Sequence, residues 1–242
     1  MNIVDCPWEL NNIGKQTVEV NVLPEDSFDK TKISEIEREY EYIVFKVPMN
    51  KIPFNKGLSE MGYCMMEVQM NISKEVEKFD YNNPLYDNVY FTRVKSDNDI
   101  LNIKESLTID MFSTDRVSLD PCFGASYGRK RYLNWLLSEI EHGNSLVVNV
   151  HYGKETIGFM MYRKAGLFFY LLLNGLYKKW QGKHMGIITP SSPFLLIRQE
   201  NMCVDKVFTS ISSNNIPVVK LYNRLNFIIE SETYVFVKHT KI

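Results

Sequence analysis

Leu176-Tyr-Lys-Lys-Trp-Gln-Gly-Lys-His-Met-Gly186 lies between a strand-like apolar run, 167–173, and a segment with helical potential. A short glycine-bearing turn between a strand and a helix leaves several main-chain N–H groups unpaired and pointing the same way, with the positive end of the helix dipole behind them. That arrangement suits a pyrophosphate. Alone, a glycine pair in a basic turn is ordinarily just a loop. Its weight comes from a second stretch further on, Thr209-Ser-Ile-Ser-Ser-Asn-Asn-Ile-Pro-Val-Val-Lys-Leu-Tyr-Asn-Arg-Leu-Asn-Phe227.

Working outward, 242 residues make one large domain or two small ones, enough to bury a real core. The composition, 45% hydrophobic and 24% charged, is that of an ordinary globular protein. Lysine and arginine number 28 against 29 acids, a net charge of −1, which favours neither nucleic acid nor an anionic membrane as partner. The longest apolar run, 167–173, is far too short for a membrane span. The first residues lack the basic start and apolar stretch of a signal peptide, so a cytoplasmic location is expected. Cys6, Cys64, Cys122 and Cys203 are widely spaced, and the four histidines show no ligand spacing. Neither a metal site nor a disulfide framework is expected, and the cysteines read as buried thiols. No internal repeat or low-complexity run stands out.

The first third reads as a small α/β unit: strands at 17–23, 42–47 and 66–72, with a charged surface helix carrying Ile33, Ile36 and Tyr40 and a short helix at 52–61 stopped by Gly62. In the third strand Met66, Val68, Met70 and Ile72 alternate with polar residues, which predicts one wet face. The polar stretch 73–87 is the best linker, giving domains 1–87 and 88–242. After it come a strand at 89–94, a helix opened by Ser96, an irregular loop at 113–126, a helix around Leu133 to Ile140 and a hairpin at 146–162. The 167–173 strand, the glycine turn, a helix, a strand at 206–211, a helix at 216–224 and a last pair of strands at 227–238 complete the chain. The fold class is α+β, a mixed α/β arrangement.

That order, with Gln181-Gly-Lys-His-Met-Gly186 in place of a [Q/R]-x-x-G-x-[G/A] loop and Asn215, Leu221, Tyr222 and Phe227 meeting a later N-x-x-x-x-x-L-Y-x-x-x-x-F pattern, resembles the GNAT superfamily of acyl-CoA N-acyltransferases over residues 88–242. Within it the chain looks similar to the TDP-fucosamine acetyltransferase group. The features carrying that likeness are Pro7-Trp-Glu-Leu-Asn-Asn-Ile-Gly14, Gly62-Tyr63, Arg116, Asp120-Pro121 and Tyr132-Leu-Asn-Trp135.

The resemblance implies a central, mostly antiparallel twisted sheet flanked by helices, with the extra N-terminal α/β unit beside it. It implies acetyl-CoA as co-substrate without a metal, and a small-molecule amine acceptor, in this group a nucleotide-linked amino sugar; a homodimer is compatible with it. Carried onto this sequence, the cofactor contacts are Asn174, Leu176, Tyr177, Gln181, Gly182, Lys183, His184, Met185, Gly186, Ile187, Asn215 and Tyr222. Main-chain N–H groups near Asn174, Gly175 and Leu176 would stabilise the oxyanion, and Tyr222 would be the general acid. No general base is evident; His151, Asp115, Asp120 and Glu139 are candidates. Plainer readings stand beside these: Tyr222 as a core aromatic, Asn215 as a helix cap, Lys178, Lys179 and Lys183 as a solvated charge run, Trp8 and Trp135 as packing, His184 as a solvent-facing loop residue.

Two positions depart from the pattern. His184 replaces a loop glycine, so the backbone there must avoid positive φ or carry strain. Pro190 and Pro193 predict a helix that starts late, near Ser192, or kinks after Gly186. Two further readings remain open: a GNAT enzyme for an amino acid, peptide or antibiotic amine, and a non-catalytic module that kept the fold.

Overall fold

In chain order the elements of the computed structural model, which describes residues 1–240, are β1 (Asn2–Asp5), α1 (Trp8–Ile13), β2 (Thr17–Asn21), α2 (Lys30–Glu39), β3 (Tyr42–Pro48), α3 (Ile52–Glu60) and β4 (Cys64–Glu75). There follow β5 (Val89–Arg93), α4 (Asp97–Ser106), α5 (Arg116–Leu119), α6 (Ala125–His142), β6 (Leu146–Tyr152), β7 (Glu155–Ala165) and β8 (Phe168–Leu176). The last are α7 (Ile188–Gln199), β9 (Lys206–Ser212), α8 (Ile216–Arg224) and β10 (Ile228–His239). All ten strands form one sheet in the order β1-β2-β3-β10-β4-β9-β8-β7-β6-β5. Among the described residues only β2/β3 and β8/β9 pair in parallel. This is the expected α+β architecture, a mostly antiparallel sheet with helices on both faces.

Alternation along the strands sends apolar side chains both ways. On one face Val18, Val20, Ile43, Phe45 and Val47 meet Ile33 and Ile36 of α2 and Phe54 and Leu58 of α3. On the same face Ile72, Met160, Tyr162, Phe169, Leu171 and Val207 meet α7 and Tyr222 of α8. The opposite face packs on α4 and α6 through Val147, Phe159, Met161 and Leu173, and on α1 and α5 through Tyr42, Val44, Val235 and Val237. Residues 87 and 88, the expected domain division, fall in the turn Pro84–Asn88, and the sheet passes across it because β10 lies between β3 and β4.

Several expectations need correction. The pair of strands at 227–238 is one long strand, β10, with ladder irregularities between Ile229 and Ser231 and between Val235 and Phe236. Such bulges read in sequence like breaks. Of the cysteines only Cys6 is buried; Cys64, Cys122 and Cys203 are exposed.

There is also an internal duplication. The strand–helix–strand unit starts at 42, 52 and 64 in its first copy and at 206, 216 and 228 in its second, a constant offset of 164. The register repeats too: Tyr42 faces His239 and Pro48 faces Thr233, while Lys206 faces Glu75 and Ser212 faces Gln69. Asn50, Ile52, Pro53 and Lys56 recur as Asn214, Ile216, Pro217 and Lys220, and the helix-ending Gly62 and Asn226 both take positive φ, 84° and 55°. Each copy's last strand crosses to pair within the other half, and the two meet at the centre. With Lys74 and Lys238 the identities number five, too few and too scattered to mark a repeat in the sequence. No described helix is long and apolar enough to cross a membrane.

Candidate functional site

A parallel strand pair that separates exposes two unsatisfied main-chain edges. Strands β8 and β9 pair only from Phe168/Lys206 to Leu171/Thr209 and then diverge. The cause is local. Between Met161 and Tyr162 the β7/β8 ladder slips so that Leu171 and Leu173 oppose adjacent β7 residues, leaving Leu172 as a bulge that bends β8 away from β9. The far edges stay paired, β8 with β7 as far as Leu176/Gly158 and β9 with β4 as far as Ser212/Gln69. A fork results, bounded by 172–176 on one side and 210–212 on the other. The equivalent strands of the first copy, β2 and β3, stay paired along all of β2.

At the mouth of the fork the chain leaves β8 through Lys178–Trp180, turns over residues 181–184, and enters α7 after a 3-10 turn, Met185–Ile187. Gly182 and His184 both adopt the left-handed conformation, φ 73° and 61°. The question posed by His184 is thus answered: the histidine carries the positive φ. Among the described residues no main-chain group engages the amides of Gly182, Lys183 and His184, and Gln181, Gly182, Lys183 and His184 are exposed. Gln181 turns back to donate from Nε2 to the Leu176 carbonyl, which holds the turn against the strand end. Met185 is buried, Gly186 packs near Leu221, and no side chain of the described residues caps α7. In the first copy the matching helix N-terminus is filled by the Asp29 carboxylate, which accepts from Thr31 and Lys32 N–H. Only the second copy leaves a helix dipole and free amides for an external anion.

The expected late start or kink of α7 is overturned. The helix begins at Ile188, immediately after the turn, with Pro193 inside it. Proline 193 cannot donate to the Thr189 carbonyl. Asn174 Nδ2 does so instead, at 2.8 Å, and Ser192 Oγ donates to the Ile188 carbonyl at 2.7 Å. The strand end and the helix start are therefore tied through Asn174, and the dipole stays beside the turn.

Tyr222 projects from α8 to the apex of the fork, its hydroxyl beside Thr209, the last β9 residue paired with β8. It is buried against Phe227, edge to face at 4.8 Å. Burial pushes its phenol well up, partly offset by the Thr209 hydrogen bond, so it stays protonated. Asn215 caps α8, its Oδ1 accepting from Val218 N–H at 3.3 Å. Tyr177 is buried, and its amide is taken by the Ile157 carbonyl. Of the loop lysines, Lys178 pairs with Asp110 and Lys179 with Glu155, while Lys183 has no carboxylate partner among the described residues and lies 5.4 Å from the Trp180 ring.

The four candidate bases scatter. His151 stacks on Tyr90 near the sheet edge, both ring nitrogens engaged by Thr92 and Thr156. Glu139 is held by Arg163, Ser145 and Trp135. Asp120 pairs with His239 at 2.8 Å. Asp120, Cys122 and His239 place one ligand atom each within 4.8 Å of one another, a grouping that widely separated residues gave no spacing to suggest. Asp115 caps α5 through Ser118 N–H and lies 3.7 Å from Arg131.

Glu9, Asn12, Arg116 and Asn134 do come together, with Tyr132 beside them, whereas Trp8, read as packing, is exposed. Glu9 receives Arg131 at 2.6 Å and Arg116 at 3.6 Å, and Asn134 donates to Asn12 at 2.8 Å. A side chain that the alternation placed on a wet face belongs here too. Glu67 of β4 is buried under α5, beside Ser212.

Neither a family model nor a curated protein matches the sequence. Solved structures do. A GCN5-related N-acetyltransferase from Sphaerobacter thermophilus superposes with a TM-score of 0.66 at 10% identity, covering 100% of this chain and 76% of that one. One from Kribbella flavida gives 0.59 at 11%, over 92% and 80%. A tandem GNAT protein from the clavulanic acid biosynthesis pathway gives 0.57 at 12%, over 93% and 76%. With the forked parallel pair, the uncapped helix behind an amide-bearing turn and the sheet order in place, this chain has the fold of the GCN5-related N-acetyltransferases.

Proposed function

We propose that the protein is an acyl-CoA N-acyltransferase that moves an acetyl group from acetyl-CoA to the amine of a small molecule. The observation that carries this reading is the bulge-driven fork between β8 and β9, with an exposed turn of unshared amides and an uncapped helix at its mouth. The amide-containing pantetheine arm satisfies the strand edges at 172–176 and 210–212 as an inserted strand does, and the pyrophosphate takes the N–H groups of 182–187. The acceptor nitrogen attacks the thioester carbonyl. The C–N bond forms, main-chain N–H groups at 174–176 hold the oxyanion, and collapse breaks the C–S bond. Tyr222, buried and protonated, gives its proton to the departing thiolate and regains one from solvent after product leaves.

The acceptor class best matched by the likeness at Trp8, Glu9, Arg116 and Tyr132 is a nucleotide-linked amino sugar. One observation favours a second reading, a small amine without a nucleotide: Arg116 and Arg131 are already answered by Glu9 and Asp115, so a diphosphate would have to find other cations. Calorimetry with coenzyme A tests the cleft. Thiol release from acetyl-CoA with nucleotide amino sugars, amino acids and aminoglycosides then sorts the acceptors. A protein that binds no coenzyme A is not an acyl-CoA enzyme.

A further inference from the structure

Glu67 is 8% exposed, on the sheet face covered by α5 and α6. Around it three carboxylates are answered by three cations: Glu9 by Arg131 and Arg116, Asp115 by Arg131, and Glu19 by Lys46 at 2.9 Å. Glu67 is the carboxyl left over, with no cationic nitrogen in ion-pair reach among the described residues. Its position is not arbitrary. Gln69, two residues on, is paired with Ser212, the last residue of β9. Beyond it the turn into α8 runs alongside β4: Ser213 N–H donates to the Val68 carbonyl at 2.9 Å and Asn214 Nδ2 to the Met66 carbonyl at 2.9 Å. The next residue is Asn215, at the fork side of α8. Over this corner Ser212 Oγ donates to the Thr114 carbonyl at 3.2 Å, which brings Asp115 and Arg116 against the same spot. Asp115 Oδ2 and Arg116 Nε are buried there without hydrogen-bond partners among the described residues.

A buried carboxylate without a cation costs several kcal/mol unless something charged meets it. An aliphatic amine acceptor of the reaction proposed above arrives as ammonium near neutral pH and would supply that charge. We infer that Glu67 is the acceptor-side base: its carboxylate receives the acceptor ammonium beside the end of β9 and takes the proton that must leave before nitrogen attacks the thioester. The ammonium N–H bond breaks, its electron pair stays on nitrogen, and the proton resides on Glu67 until product departs and solvent removes it. This inference rests on the acyltransferase reading. The charged and titratable groups facing Glu67 are Asp115 and Arg116 from α5, Tyr132 from α6 and Lys46 from β3. Burial raises its pKa above the ordinary carboxyl range, against the pull of Ser212 and Arg116, which suits a base working nearer neutrality.

The test compares wild type with Glu67→Gln using acetyl-CoA and two primary amines, strongly basic butylamine and weakly basic trifluoroethylamine, which is largely free base at neutral pH. With butylamine the variant should lose about 10²-fold in kcat/KM and its acidic pH limb, as removal of a general base does. With trifluoroethylamine the two proteins should stay within a few-fold. Equal loss with both amines, or no loss with butylamine, overturns the inference while leaving the acyltransferase reading intact. Coenzyme A that binds but is turned over with neither amine by wild type counts against that reading, and the inference falls with it. A readout independent of turnover is the titration of isotope-labelled glutamate carboxyls by NMR, the Glu67 signal being the one lost in Glu67→Gln. Titration at an ordinary carboxyl value overturns the inference.

Folding is controlled separately. A carboxyl with a raised folded-state pKa contributes stability that is present below its unfolded pKa and lost as pH rises through the folded value. Glu67→Gln should therefore melt no lower than wild type at neutral pH.

Discussion

His184 holds a left-handed backbone with a side chain that dislikes it, in the exposed turn at the mouth of the fork. The left-handed well costs an L-residue about 1–2 kcal/mol, and glycine returns some of that as chain entropy. His184→Gly should therefore raise stability by about 0.5–1 kcal/mol in urea denaturation without weakening coenzyme A binding. Tyr222 is decided by a different balance. Its ring belongs to the core, so Tyr222→Phe keeps the packing and removes only the hydroxyl beside Thr209. The expected result is a drop in kcat of about 10²-fold with coenzyme A affinity nearly unchanged. Equal turnover by the two proteins takes Tyr222 out of the mechanism and leaves it a core aromatic.

Among the elements, α7 shows how a helix with an internal proline survives. The missing Pro193 N–H leaves the Thr189 carbonyl to Asn174, so strand β8 supplies from its side chain what the helix backbone cannot. Asn174→Ala should cost about 1–3 kcal/mol, the penalty for an unsatisfied part-buried carbonyl, read as a fall in the denaturation midpoint. It should also loosen coenzyme A binding, because the dipole is no longer tied to the fork. Strand β7 meets β8 under a tighter constraint. A Cβ on Gly158 would lie 2.2 Å from the Gly175 carbonyl oxygen, a main-chain atom of the partner strand that cannot swing aside. Gly158→Ala should part β7 from β8 beside the mouth of the fork, where Gly158 pairs with Leu176, and lower stability by about 1–3 kcal/mol or more, as overpacking does. Gly175→Ala presses on the end of the flexible Met111 side chain, whose Cε lies at 2.8 Å, and should be the milder of the two.

At the scale of the molecule the duplicated unit does two jobs with one architecture. The first copy closes its helix N-terminus with Asp29 and puts Leu58 and Lys51 where the second has Tyr222 and Asn215. It keeps no fork, but it lends β4 to the wall of the second copy's site and takes β10 in return. Two halves interlocked through their central strands cannot each satisfy their own edges. Residues 88–242 produced alone should therefore lack a cooperative melt, and residues 1–87 added in trans should restore one. A cooperative melt of 88–242 by itself would mean that β10 and β9 are stable without β4 beside them.

Periodicity and turn chemistry determined the local part of this protein: the strands at 42 and 206, the helices at 52 and 216, the glycine-bearing turn and the tyrosine after it. Those are properties of neighbours in the chain, and neighbours suffice to state them. The bulge at Leu172 that opens the fork, the rescue of Pro193 by Asn174, the exchange of β4 with β10 and the burial of Glu67 were decided only by the tertiary structure. Each depends on a partner far off in sequence, and alternation along β4 says which residues share a face without saying what covers it.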